Sequence, residues 1–127
     1  MQYIRGMESY HDPAYTAITL GKFDGLHRGH LKLVERVQSY AGTEVKSVVF
    51  SFDMLPFFKE KGLKKKNLMT SEEKTLFLED KVDYLVECPF VEEVYTMEAE
   101  DFIRDILIGK FHAKYVVVGT DFRFGHN

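Results

Sequence analysis

A chain of 127 residues with 17 basic against 20 acidic side chains, net charge -3, has the apolar and charged fractions of an ordinary globular domain and enough length for one core. The acidic balance supplies no global basic field, which excludes broad nucleic-acid affinity. Cys88 is the only cysteine, which excludes an internal disulfide and a cysteine zinc cluster; with no secretory signal and no long apolar span, the expectation is a cytoplasmic protein with no membrane partner.

Residues 1–15 carry little pattern, although Tyr3-Ile4 suits a short edge strand and Asp12-Pro13 marks a turn. Ala17-Ile18-Thr19-Leu20 reads as a buried strand. It runs into Gly21-Lys22-Phe23-Asp24-Gly25-Leu26-His27-Arg28-Gly29-His30, and an amphipathic helix over 31–41 follows, with Leu33, Val34, Val37, Tyr40 and Ala41 at helical spacing and Gly42 as its stop. Residues 45–52 are β-branched and aromatic, so strand–helix–strand implies a parallel pair with a right-handed crossover. Residues 53–67 read as a long loop, a lid or binding loop, containing Pro56-Phe57-Phe58, Gly62 and Lys64-Lys65-Lys66.

Thr70 and Glu73 form a capping box that starts a helix reaching about Glu79. Residues 83–86 suit a third strand. Glu98, Glu100 and Asp101 then place negative charge in the first turn of a helix that buries Ala99, Phe102, Ile103, Ile106 and Leu107 and ends near Gly109. Tyr115-Val116-Val117-Val118 is a strand that runs into Gly119-Thr120-Asp121-Phe122-Arg123-Phe124-Gly125. The alternation predicts a doubly wound α/β fold without repeats or linkers, whose ligands bind outside the carboxyl ends of the strands. Both glycine-containing segments fall at that edge.

The first segment carries two histidines and three glycines between a strand and a helix start. Glycine lets a ligand approach the backbone, free N–H groups and the positive helix end attract anions, and imidazoles donate to phosphate oxygens. A chance H-x-G-H with one histidine capping the helix is the competing reading. Zinc fits poorly, since no third ligand is evident, and neither G-x-G-x-x-G nor a P-loop is present. Phe23 suits the core and Asp24 an Asx-type turn, while Lys64 to Lys66 read as a solvated loop face.

Gly21-x-Phe23-Asp24-Gly25-x-His27-x-Gly29-His30 resembles the signature of the HxGH nucleotidyltransferases. With Val118-Gly119-x-Asp121-Phe122-Arg123-Phe124-Gly125 it is similar to the FAD synthetase (FMN adenylyltransferase) domain of bacterial bifunctional riboflavin kinase/FAD synthetases. The resemblance implies a Rossmann-like parallel sheet and transfer of AMP from ATP to FMN, giving FAD and pyrophosphate, with Mg2+ accompanying ATP. It implies catalytic roles for His27 and His30. It assigns ATP binding to Gly21, Phe23, Gly25, His27, Gly29, His30, Gly119 and Asp121. Flavin binding falls to Phe52, Pro56, Asp121, Phe122 and Phe124, and Arg123 is a phosphate-contact candidate; no protein metal ligand is implied.

Two departures qualify the resemblance. The family pattern F-x-P-H-P after the second strand is Phe52-Asp53-Met54-Leu55-Pro56 here, with Met54 and Leu55 at its proline and polar positions; Met54 is suited to cover an apolar ring face. The family domain also continues into a serine-, threonine- and arginine-bearing ATP segment, whereas this chain stops at His126-Asn127. Residues 1–127 are therefore expected to be the N-terminal portion of an FMN adenylyltransferase domain, incomplete at its C-terminal end and without the kinase domain. The alternatives are a non-catalytic nucleotide-binding fragment and an HxGH adenylyl- or cytidylyltransferase with another phosphorylated acceptor.

Overall fold

The computed structural model describes residues 1–23, 28–64 and 69–119. Five strands, β1 (Gln2–Arg5), β2 (Tyr15–Gly21), β3 (Val45–Asp53), β4 (Tyr84–Pro89) and β5 (Ala113–Val117), form one parallel sheet in the order β1-β4-β3-β2-β5. Tyr3-Ile4 takes its expected place in an edge strand, β1. β2 reads Tyr-Thr-Ala-Ile-Thr-Leu-Gly with five consecutive buried residues, as a strand covered on both faces must.

The covering layers come from the connections. α1 (Arg28–Tyr40) joins β2 to β3 and buries Val34 and Val37; α3 (Ser71–Leu78) precedes β4 and buries Leu78. Val34 and Leu78 pack with Phe23, Val49, Val82 and Leu85 on one face of the sheet. The other face holds Ile18, Leu20, Val48, Phe50, Val86 and Cys88 against Tyr10, Phe102, Leu107 and Phe111. The period-2 alternation of β3 thus sends Val49 to one core and Val48 and Phe50 to the other. Tyr40, expected in the core, stays partly exposed and stacks on Tyr115 of β5 at 4.3 Å.

Three expectations change. The supposed loop after β3 contains α2 (Leu55–Glu60), because Pro56 sits in its first turn, where the missing N–H removes no helical bond. Met54 is buried ahead of α2, so it has no free surface with which to cover a ligand ring. After α4 (Glu92–Tyr95) and α5 (Ala99–Asp101), residues Phe102–Ile108 continue as a π-helix. Its bonds run from Gly109 N–H to the Arg104 carbonyl and from Phe111 N–H to the Ile106 carbonyl. The wider turn buries Phe102, Leu107 and Phe111 and leaves Ile103 exposed, against expectation. A Cβ on Gly109 would lie 2.7 Å from the Asp105 carbonyl oxygen, so only glycine closes this segment. Among the described residues no helix is long and apolar enough to cross a membrane.

Candidate functional site

The connections place a crevice. From β2 the chain steps through β3 to β4 on one side, then returns to lay β5 on the other side of β2. The carboxyl ends of β2 and β5 therefore flank the point where strand order reverses, where open α/β sheets bind ligands. Thr19 pairs with Val117, so Gly21 and Gly119, each two residues further on, leave neighbouring strand ends. The described starts of the two segments singled out in the sequence, Gly21 and Gly119, therefore lie on adjacent strand ends at this switch point.

The exit of β2 is tightly held. Phe23 has φ 46°, a left-handed conformation uncommon for a bulky residue, and its ring is fully buried. The ring folds back on Gly21, where a Cβ would sit 3.2 Å from it. A side chain at position 21 would thus press on the buried Phe23 ring, which would have to give by a few tenths of an ångström. Phe23 has no surface to offer a nucleotide directly; it packs against the His30 ring, with centroids 5.0 Å apart. Gly29 and the half-buried His30 lie in the first turn of α1, at its positive end. Gly21, Phe23, Gly29 and His30 are therefore brought together. Asp24, Gly25 and His27, together with Asp121, Phe122, Arg123, Phe124 and Lys65 to Asn67, lie outside the described residues.

Behind this turn is a buried ionic network whose members sequence reasoning did not single out. The Lys74 ammonium meets Glu87 at 3.0 Å, with both side chains 2% exposed. It also donates to Ser51 Oγ at 3.3 Å and to the Lys22 carbonyl at 3.4 Å, while Ser51 Oγ donates to that same carbonyl at 2.9 Å. Glu87 accepts in addition from the Tyr3 hydroxyl and the Ser71 hydroxyl. The signal was available: a glutamate inside Tyr84-Leu85-Val86-Glu87-Cys88, a strand buried on both faces, requires a buried partner.

The second wall stands at the end of β3. Asp53 pairs with Arg5 at 2.7 Å and accepts from the Leu55 N–H, which turns the chain into α2. Phe52 is half-buried on the opposite sheet face from Phe23 and His30, with its ring against Phe50, Phe90 and Phe102; Pro56 is half-buried in α2. Phe57, Phe90 and Tyr95 extend this aromatic layer outward. Burial pushes the Cys88 thiol up to about 12, so Cys88 offers no thiolate nucleophile. No group of three histidine, cysteine or acidic side chains able to hold a metal occurs among the described residues.

Known proteins share the sequence pattern and the fold of this chain. The family model described as FAD synthetase matches residues 9–127. A bifunctional riboflavin kinase/FMN adenylyltransferase of Buchnera aphidicola (subsp. Schizaphis graminum) is 32% identical over 129 residues, covering 98% of this chain and 41% of its own length. The proteins of the same name from Haemophilus influenzae and Escherichia coli K12 are 31% and 29% identical, each over 98% of this chain and 42% of their own length. The chain thus spans about two-fifths of the curated relatives it matches. A crystal structure named Macrolide-efflux Protein from Streptococcus pneumoniae superposes with a TM-score of 0.81 at 22% identity, over 98% of this chain and 44% of that one, a likeness of fold. On the match over residues 9–127 and the sheet that carries it, the chain belongs to the FAD synthetase family.

Proposed function

We propose that this chain takes part in FMN adenylyl transfer: an oxygen of the FMN phosphate attacks the α-phosphorus of ATP, the bond to the β-phosphate oxygen breaks, and FAD and pyrophosphate leave. The observation that carries the reading is the first turn of α1, with Gly29 and His30, at the reversal of strand order in a chain of the FAD synthetase family. In-line transfer builds charge on the phosphoryl oxygens, so the protein's task is positioning and fixed donors. His30 and His27 supply imidazole donors, and the N–H groups at the start of α1 supply the helix end. Mg2+ enters with ATP as part of the substrate and is held through phosphate oxygens and water.

The remaining roles follow the family pattern. Gly25 and Gly29 allow close approach to the triphosphate. Gly119 and Asp121 hold nucleotide or flavin, Phe122 and Phe124 the flavin ring, and Arg123 a phosphate. Phe52 and Pro56 form the wall behind the flavin. The riboflavin kinase activity named in the relatives belongs, on this reading, to the length this chain does not span. Incubation with ATP, Mg2+ and FMN should yield FAD and pyrophosphate in equal amounts, read by flavin fluorescence and pyrophosphate release. ATP binding without FAD formation would leave a nucleotide-binding fragment. ATP binding without FMN binding would point to another phosphorylated acceptor.

A further inference from the structure

We propose that the buried Lys74–Glu87 pair is the positioning device for His30: with Ser51 it fixes the Lys22 carbonyl, and so holds the Phe23 turn against which the His30 ring is packed. A buried ion pair is poor evidence for stability, because well-packed apolar side chains would serve the fold as well. The direction of its hydrogen bonds explains it better. The ammonium has three N–H groups and three acceptors: Glu87 Oε2, Ser51 Oγ and the Lys22 carbonyl. Ser51 Oγ accepts from Lys74 and donates onward to the same carbonyl. Two donors thus converge on one backbone atom, the last carbonyl before Phe23.

That convergence has an object. Phe23 at φ 46° is a conformation that persists only when its surroundings over-determine it. The over-determination comes from three sides: the core around its ring, the glycine at 21, and the fixed carbonyl at 22. His30 lies on the fourth side of the ring, 5.0 Å between centroids. Glu87 anchors Lys74 and is itself held by Tyr3 of β1 and Ser71 of α3, so four parts of the chain distant in sequence are tied to the one turn. Lys74 and Glu87 act through Phe23 and His30 and are positioning residues; they need not touch substrate.

The kinetic part of the test rests on the adenylyl-transfer reading, and the spectroscopic part does not. Lys74→Met alone strands the Glu87 carboxylate, so the informative variant is the double Lys74→Met/Glu87→Leu, which removes both charges together. In ligand-free protein, the His30 ring resonances, identified by their loss in His30→Gln, should shift or broaden in the folded double variant. With ATP, Mg2+ and FMN, kcat should fall about 10- to 100-fold, while KM for ATP stays within about threefold. Ser51→Ala strands no charge and should show smaller changes in the same direction; if the double variant does not fold, Ser51→Ala decides. A folded variant whose His30 resonances and kcat match those of the unaltered chain overturns the proposal. If the unaltered chain makes no FAD, the adenylyl reading fails by itself and the ring resonances alone decide positioning.

Discussion

A histidine in the first turn of a helix can donate to an anion or fill space, and His30 has the geometry for both, being half-buried against Phe23 at the positive end of α1. The two roles separate in kinetics. As a donor to charge that develops in the transition state, His30 should cost about 10²- to 10³-fold in kcat when changed to alanine, with KM for ATP little altered. Steady-state FAD formation checks this, and a raised KM with unchanged kcat would assign His30 to ground-state binding. The place of this residue was legible because H-x-G-H is local and its setting, strand before and helix after, is written beside it. Its support was not. Gly21 was read as letting a ligand approach the backbone, and nothing local showed that a Cβ there would also lie 3.2 Å from the Phe23 ring. Lys74 and Glu87 are separated by a helix end, a loop and half a strand, and nothing local couples them.

The same contrast between local and tertiary signals holds for whole elements. The capping box of α3 was legible because its partners lie three residues apart: Thr70 Oγ1 accepts from the Glu73 N–H at 3.1 Å, and Glu73 Oε1 accepts from the Thr70 N–H at 2.9 Å. α2 was missed because residues 53–67 were read as one long loop, although Pro56 suits the first turn of a helix, with Asp53 turning the chain ahead of it. The π-helix could not be read from side chains spaced for an ordinary helix, since the choice of ladder depends on which residues the sheet accepts. Because Lys74 sits in the first turn of α3, its cap is also relevant to the buried network. Thr70→Ala should destabilise the protein by about 1 kcal/mol in urea unfolding, the usual worth of such a cap. Thr70→Ser, which keeps the oxygen, should recover most of that loss.

At the scale of the molecule, alternation of strands and helices was enough to read a parallel α/β sheet. The placement of β5 beyond β2 was not legible, because the return to the other side depends on which face the long connection covers. The amino ends of the strands carry a further tie, also invisible locally, between the segment before β2 and the start of β4. The Tyr84 hydroxyl donates to Asp12 Oδ2 at 2.5 Å, and the Ala14 N–H donates to Asp12 Oδ1 at 2.8 Å. These bonds, the one from Tyr84 foremost, hold the Asp12 carboxyl below its ordinary value of 3.8, and the bond to Asp12 pushes the Tyr84 phenol up to about 12. The unfolded chain then binds more protons at Asp12 than the folded one as pH falls below about 4. Stability from this carboxylate is full above that value and is lost on acidification through the folded pKa. For Tyr84 the sign reverses: the folded phenol keeps its proton longer, so stability is full below about 10 and is lost as pH rises from there towards 12. Urea unfolding midpoints measured from pH 2.5 to 11 should show both shoulders. Asp12→Asn should flatten the acid one, and Tyr84→Phe should weaken the acid one and remove its own share of the alkaline one. An acid slope unchanged in Tyr84→Phe would mean that Asp12 is held by the turn at Ala14 and that the bond across β3 to β4 adds nothing to the fold.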